Sequence, residues 1–489
     1  MRRTARLAAA FCCLMIAAMA LPGTGAKAFT HEGEAYVLDE SGKKEIPIPQ
    51  PYIPAGTIGN IGGDIPFLNN PQDLFITREG ALYVCDTGNN RVVRLEGGKI
   101  AAEYTGAGDL DFQDPSGIFL DDYGHLYIAD TGNARVVHLN AQGEFVESFV
   151  RPESDLLYDT DQFEPNKVAV GDSTGSIYIL QGKHFMTIDA HNQFKGYIGA
   201  NRVGFDLRNF LYRLFASDEQ KKQVGKKEPS PYNNFHLSAD GLLYAVASGN
   251  SDQIRVVNSV GNNIYPVGFY GEMTYDEQGK AVYPLFSDIA VDEEGIVTVA
   301  EQNSAKLYQY DGEGNLLAVF GGKGTLAGQF DVISSLAVDA AGRLYVLDSS
   351  RNNIQILEPT RLIRVVQEAN ELYLQGSYDA SRSKWEEVMS ISSNYPLARI
   401  SIGKIQHKQK DYAGAMANFF AANDREDYGL AFEKSRYLIL RQYFGWIVAG
   451  LAVAVTLLVW VLLHLRKRAL QYENDLYDME REGPKGRRT

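Results

Sequence analysis

The sequence predicts a mainly β fold, a six-bladed β-propeller, followed by a short α-helical repeat segment and a single transmembrane helix. Three observations carry this. Asp86-Thr87-Gly88-Asn89-Asn90-Arg91-Val92-Val93 returns as Asp130-Thr131-Gly132-Asn133-Ala134-Arg135-Val136-Val137, 44 positions later. Around each copy stands the same frame of short alternating runs, Leu82-Tyr83-Val84 and Leu126-Tyr127-Ile128 before the Asp and an Arg-Val-Val run after it. A period in the forties built from short strands is the mark of a propeller blade. After Thr360 the pattern changes to helical periodicity, and from Phe444 to Leu465 it becomes almost wholly apolar.

The 489 residues are too many for one small domain, and the formal charge of −14 with a pI near 5.2 opposes nucleic acid as a partner, because phosphates need a basic face. Met1-Arg2-Arg3, the apolar run from Leu7 to Leu21 and Ala26-Lys27-Ala28 read as a secretory signal over residues 1–28. Cys12 and Cys13 would leave with it. The remaining Cys85 can form no intrachain disulfide and reads as a buried strand residue. Residues 29–65 are expected to hold a strand that closes the propeller, placed within residues 34–50.

Blade one is read from Pro66 to Gly106 and blade two from Asp109 to Val150. Blade three keeps Val168-Ala169-Val170 and Ile177-Tyr178-Ile179, with Gln181 where the repeat Asp would stand. Blade four keeps Phe235-His236-Leu237 and Ile254-Arg255-Val256-Val257. Blade five has Glu301 in place of the Asp, and blade six returns to type with Leu344-Tyr345-Val346-Leu347-Asp348. Blade six shows three strands before the helices begin, so its fourth must come from the N-terminal segment; closure removes the exposed edges of an open array. Between blades three and four, residues 200–232 break the spacing. There Leu207, Phe210, Leu211 and Leu214 stand at helical intervals, which predicts an amphipathic helical insertion.

The pattern of Pro, apolar run, Gly, Leu-Tyr-Val and Asp-Thr-Gly-Asn-x-Arg-Val resembles the NHL repeat over residues 66–358. That resemblance implies a six-bladed propeller and no single activity, its members including RNA binders, peptide-amidating lyases, sensor domains and interaction platforms. In residues 359–442, Tyr378 and Trp385 are answered by Tyr412 and Phe419, each 34 positions on. Period and residue types resemble two units of the tetratricopeptide repeat, with Leu430 standing where a second Pro is due after Pro396. Two units are marginal alone, so they are expected to pack on the propeller or on another protein.

The transmembrane helix is placed at residues 443–465. Phe444 to Leu465 would span about 33 Å at ~1.5 Å per residue, enough for a hydrocarbon core of about 30 Å. Trp446 and Trp460 lie toward its ends and Arg466-Lys467-Arg468 follows it, which predicts a cytoplasmic tail over 466–489 with the bulk of the chain extracytoplasmic in the cell membrane. The Arg-Arg start, the single-pass layout and the lack of disulfides in an exported domain point to a bacterial source.

Two sets of residues could carry function. The repeat-turn set, Asp86, Asn89, Arg91, Asp130, Asn133, Arg135 and Asp348, tempts as carboxylates paired with Arg. Asp and Asn also cap turn amides, and a catalytic group is needed once rather than in every blade, so a structural role is expected. The second set comes from the position just before each innermost strand, where alignment places Asp73, Gly117, Lys167, Asn234, Asp288 and Ser335 around the central channel. This ring is read as the ligand-binding channel mouth. Asp73 and Asp288 could together hold a cation through oxygen ligands, as the resemblance to calcium-holding lactonase-like propellers implies, although Lys167 in the same ring argues against a tight metal site. His125, His138, His184, His191 and His236 follow no repeated spacing, and no hydrolase, zinc-protease or P-loop motif occurs. The expectation is therefore a membrane-anchored binding or scaffold protein without an obligatory cofactor, Ca²⁺ being the one considered. Its partners would be other membrane or extracytoplasmic proteins. The competing class is a metal-dependent lyase or lactonase-like enzyme acting at the channel.

Overall fold

The computed structural model describes residues 35–481, apart from 40–41, 43, 60–66, 155–156, 158–161, 172–174, 183, 199–230, 260 and 277. The expected signal segment, nearly all of the 200–232 insertion and the end of the tail lie outside the described residues. Six antiparallel sheets are arranged as blades around a channel. Blade one runs Asp73–Ile76, Leu82–Asp86, Arg91–Glu96 and Lys99–Tyr104 from the channel outward, and blades two and three repeat that order with four strands each. The middle strands are buried on both faces, as in Leu126–Asp130, where every residue is buried, because each blade is covered by a neighbour on either side. Cys85 and Val92 of blade one thus share a core with Ile118, Ile128 and Val137 of blade two. Leu347 and Ile354 of blade six share one with Leu74, Val84 and Val93 of blade one, which closes the ring.

The closing strand is Tyr52–Gly59, antiparallel to Asn353–Pro359, with Ile354 opposite Ile58 and Gln355 opposite Thr57. This corrects the expectation of a strand within residues 34–50. Tyr36–Leu38 and Glu45–Pro47 instead form a hairpin on the outer edge of blade five, through Tyr36 opposite Val319. The reason is length. The open edge of blade six is 7 residues long and the 52–59 segment offers 8, whereas each strand of the hairpin has 3. Lys306 Nζ fastens that hairpin by donating to Tyr36 Oη at 2.6 Å, and the Tyr36 and Tyr308 hydroxyls both donate to Glu272. Blade four has three regular strands, and its outer position is taken by an irregular segment in which Ile264 N donates to Val256 O at 2.8 Å.

Five helices follow: α1 (Arg361–Leu374), α2 (Tyr378–Ile391), α3 (Pro396–Lys408), α4 (Tyr412–Ala422) and α5 (Arg425–Arg481). α1 pairs with α2 and α3 with α4. Tyr378 and Tyr412 each open the second helix of a pair, while Trp385 and Phe419 are both buried. The helices do not stand apart from the propeller. Leu362, Val366, Trp385, Tyr395 and Ile402 lie in one core with Ala290, Leu317 and Phe320 of blade five and Leu344 of blade six. Tyr395 Oη donates to Leu317 O at 2.6 Å across that seam. α5 is one continuous helix of 57 residues, about 85 Å at ~1.5 Å per residue. It is long and apolar enough to cross a membrane, and among the described residues nothing covers its apolar stretch.

Candidate functional site

The innermost strand of every blade is an edge strand whose outer row of amides faces the channel, and unpaired edge amides need partners. In five blades the register shifts just before the residue singled out by the alignment, between Pro115 and Gly117, Pro165 and Lys167, Tyr232 and Asn234, Phe286 and Asp288, and Ile333 and Ser335. The ring residues therefore lie inside the strands, directly after a bulge, rather than ahead of them, and Asp73 is the first residue of its own. A bulge re-aims the side chain that follows it. In blades five and six it aims Asp288 and Ser335 at the next blade.

Asp288 Oδ2 accepts from Leu336 N of blade six at 2.6 Å, Ser335 Oγ accepts from Leu74 N of blade one at 3.3 Å, and Asp73 Oδ2 accepts from Ile118 N of blade two at 2.8 Å. Ser335 is shared between Asp73 and Asp288, at 3.0 and 2.8 Å, and Lys167 Nζ reaches across from blade three to Asp73 Oδ1 at 2.5 Å. Four of the six expected residues, Asp73, Lys167, Asp288 and Ser335, are thus joined in one buried network. Gly117 contributes by being small: a Cβ there would lie 2.4 Å from Asn166 O and 2.8 Å from Lys167 Cα, so blades two and three could not approach as they do. Asn234 stays outside the network, and its Oδ1 accepts from the adjacent Phe235 N at 2.8 Å.

From Asp73 to Arg78 the innermost strand rises about 16 Å at ~3.3 Å per residue, so the network lies at one end of the channel and the first hairpin turn of each blade at the other. Between them is a funnel of about 1050 Å³. Ile118, Val168, Phe235 and Leu336 line its shaft, and Glu79, Asp122, Asp240 and Glu293 stand around its mouth. At its base the network leaves Asp288 Oδ1 buried without a partner, and the half-buried imidazole of His236 also lines the funnel. Burial pushes the Asp288 carboxyl up to about 6, with Lys167 opposing and Asp73 adding to the shift. Burial, reinforced by the Lys167 ammonium, holds His236 down at about 4, so it is neutral at physiological pH. Burial also lowers Lys167, but the carboxylates of Asp73 and Asp288 outweigh it and the amine stays charged. Asp292, at the turn of blade five, is pushed up to about 7 by burial against the amides of Ile296 and Glu294.

Asp73 and Asp288 do share a neighbourhood, as a cation site would require. However, three of their four carboxylate oxygens already accept hydrogen bonds, and the Lys167 ammonium supplies the positive charge. A calcium ion takes about six to eight oxygens, so the pair as it stands is poorly suited to one. Among the described residues no group of three or more His, Cys, Asp or Glu is placed to hold a metal ion.

The repeat-turn residues lie at the opposite end of the second strand from the funnel mouth and do not line it. Asp86 accepts from Asn69 N at 2.7 Å, Asn89 Nδ2 at 2.8 Å and Arg91 Nε at 2.7 Å. Asp130 takes the same bonds from Gln113 N, Asn133 and Arg135 at 2.8, 2.9 and 2.7 Å. Asp348 accepts from Asp331 N at 2.7 Å and Arg351 N at 3.1 Å, and Glu301 of blade five reaches Ser304 N at 2.6 Å in the same way. Each carboxylate ties the turn to the chain entering its own blade. Thr87 and Thr131 then bind across to Pro115 O and Pro165 O of the next blade, both at 2.7 Å.

Sequence reasoning did not reveal that α1 borders the funnel mouth. A second cavity of about 340 Å³ runs from Thr77 and Arg78 past Asp292, Glu293 and Glu294 to Arg364, Glu368 and Glu371 of α1. No local signal in the sequence brings residues some 70 positions apart to one rim; the packing of α1 on blades five and six does.

No family model matches the chain, and no curated protein matches it. Among solved structures it is similar to a streptogramin B lyase at 12% identity and a TM-score of 0.41, over 64% of this chain and 100% of that one. Virginiamycin B lyase from Staphylococcus aureus gives 12% and 0.38 over 66% and 87%. U3-55K gives 12% and 0.41 over 63% and 100%. At this level no activity carries over, and the blade count rests on the chain's own sheets.

Proposed function

We propose that the chain is a membrane-anchored extracytoplasmic binding protein, an NHL-type propeller with two tetratricopeptide-like helix pairs packed against it and α5 as the anchor. The funnel is its recognition site. The observation that carries this reading is the floor of the funnel: the unpartnered Asp288 Oδ1, beside a charged Lys167 and the His236 imidazole, at the end of an apolar shaft. A buried polar group without a partner is costly, and a ligand with a neutral polar tip would relieve that cost. Apolar walls around a few convergent polar groups are the common build of a small-molecule pocket. The anchor reading is supported by the length and composition of α5 and by the Arg466-Lys467-Arg468 run on one side of its apolar stretch.

The test is thermal unfolding of the full-length protein in a neutral detergent with a panel of monosaccharides, dipeptides and amides. A ligand of the native funnel must raise the midpoint by mass action. The expected shift disappears in His236→Leu, and a panel without any shift would remove the small-ligand reading. A shift with Ca²⁺ that is lost in Asp288→Asn would instead favour the metal-dependent lyase or lactonase.

A further inference from the structure

The funnel does not end at its own rim. Both cavities share Ile76, Thr77, Arg78, Val291, Asp292 and Glu293, so one continuous groove leads from the channel across the turns of blades five and six to the exposed face of α1. Six acidic side chains line the outer part: Asp292, Glu293, Glu294, Asp339, Glu368 and Glu371. Two basic ones oppose them. Arg78 faces Glu293 at 3.7 Å with both side chains about two-thirds exposed, and Arg364 Nε is turned to Pro359 O at 3.2 Å. Glu368 and Asp339 have cationic partners at 2.7 Å in Lys384 and Arg343, on the flanks of the groove. Glu294 and Glu371, on opposite walls, are exposed and, among the described residues, face no basic side chain within ion-pair distance, Glu371 accepting only from Gln375. At the inner end lies the buried, unpartnered Asp288 Oδ1.

We propose that this composite groove binds an extended basic peptide segment of a partner protein, its backbone lying between α1 and the turns of blades five and six and one side chain entering the funnel. The inference rests on the funnel being a recognition site and names the partner's chemistry. Surplus negative charge on both walls selects a cationic segment, since opposite potentials attract and like charges exclude wrong partners. The helix pairs then have a direct role: α1 supplies one wall of the groove.

The test uses the full-length protein in neutral detergent and fluorescein-labelled hexalysine, with labelled hexaglutamate as its counterpart, read by anisotropy at low and moderate salt. Hexalysine is expected to bind saturably and hexaglutamate not at all. Glu294→Lys with Glu371→Lys should weaken hexalysine by about tenfold or more at low salt. Glu144→Lys with Glu153→Lys, an equal charge change at exposed sites outside the groove, should leave it within about twofold. All four residues are exposed, so these variants keep the fold. Absence of hexalysine binding, or an equal loss in both double variants, overturns the proposal. The two readings separate cleanly: loss of the small-ligand shift with groove-dependent hexalysine binding intact would sink the funnel alone, and the reverse would sink the groove alone.

Discussion

Replacing Lys167 by Met tests whether the ring network holds the propeller together. The change removes the ammonium that faces Asp73 Oδ1 and leaves a carboxylate that is 2% exposed with only the Ile118 amide and the Ser335 hydroxyl to satisfy it. Asp288, bonded to the same hydroxyl, adds repulsion. Breaking a buried ion pair from one side costs about 3–5 kcal/mol. The Lys167 side chain keeps 15% of its exposure, so the lower end, about 3 kcal/mol, is expected. At about 2–4 °C per kcal/mol that lowers the unfolding midpoint by roughly 6–12 °C. Adding Asp73→Asn removes the uncompensated charge while its amide oxygen still accepts from Ile118 N. The double variant should therefore recover about 2 kcal/mol relative to Lys167→Met. The assay is thermal unfolding of the full chain in detergent, followed by far-ultraviolet circular dichroism. A midpoint shift under about 2 °C for Lys167→Met, or a double variant no more stable than the single, would refute the reasoning.

Two further outcomes follow from the same geometry. Asp288 titrates near 6 in the fold against an ordinary value of 3.8, so between about pH 4 and 6 the folded state holds a proton that the unfolded state has lost, and its contribution to stability falls as pH rises. His236, at about 4 against 6.5, acts oppositely, its contribution falling as pH drops below 6.5. Relative to the parent, Asp288→Asn should make stability decline more on acidification and His236→Gln should make it decline less, each by up to about 3 kcal/mol across the window, measured by urea unfolding at stepped pH. Gly117→Ala should cost about 3 kcal/mol or more, because its Cβ meets backbone of blade three. Gly80→Ala, whose Cβ would meet nothing within 4 Å and which carries only a positive φ of 84°, should cost about 1 kcal/mol; equal losses would show that blade contact at Gly117 is not limiting.

The propeller was legible in the sequence because its signals are local. Alternation over four to six residues, a Gly at each hairpin turn and the recurring Asp-Thr-Gly-Asn are set within one blade, and they repeat because each blade meets the same environment. The change from strand to helical periodicity after Thr360, and the 34-residue offset between Trp385 and Phe419, were equally readable from spacing. The channel ring was legible as a list of residues, since alignment of the repeats reaches Asp73, Lys167, Asp288 and Ser335 by counting. What those residues do was not. The bulges of blades five and six turn Asp288 and Ser335 toward amides of the next blade, and that contact joins residues such as Ser335 and Leu74 that lie at opposite ends of the propeller sequence. The closing strand was placed too early for the same reason: local pattern marks Tyr36–Leu38 as strand, whereas the length of the open edge on blade six selects 52–59. The sequence by itself determined the blades and helices, through short-range propensity and periodicity. Only the tertiary structure decided which edges meet, how the channel is closed at one end, and that α1 stands at the funnel's mouth, because those outcomes depend on burial and hydrogen bonding between segments far apart in the chain.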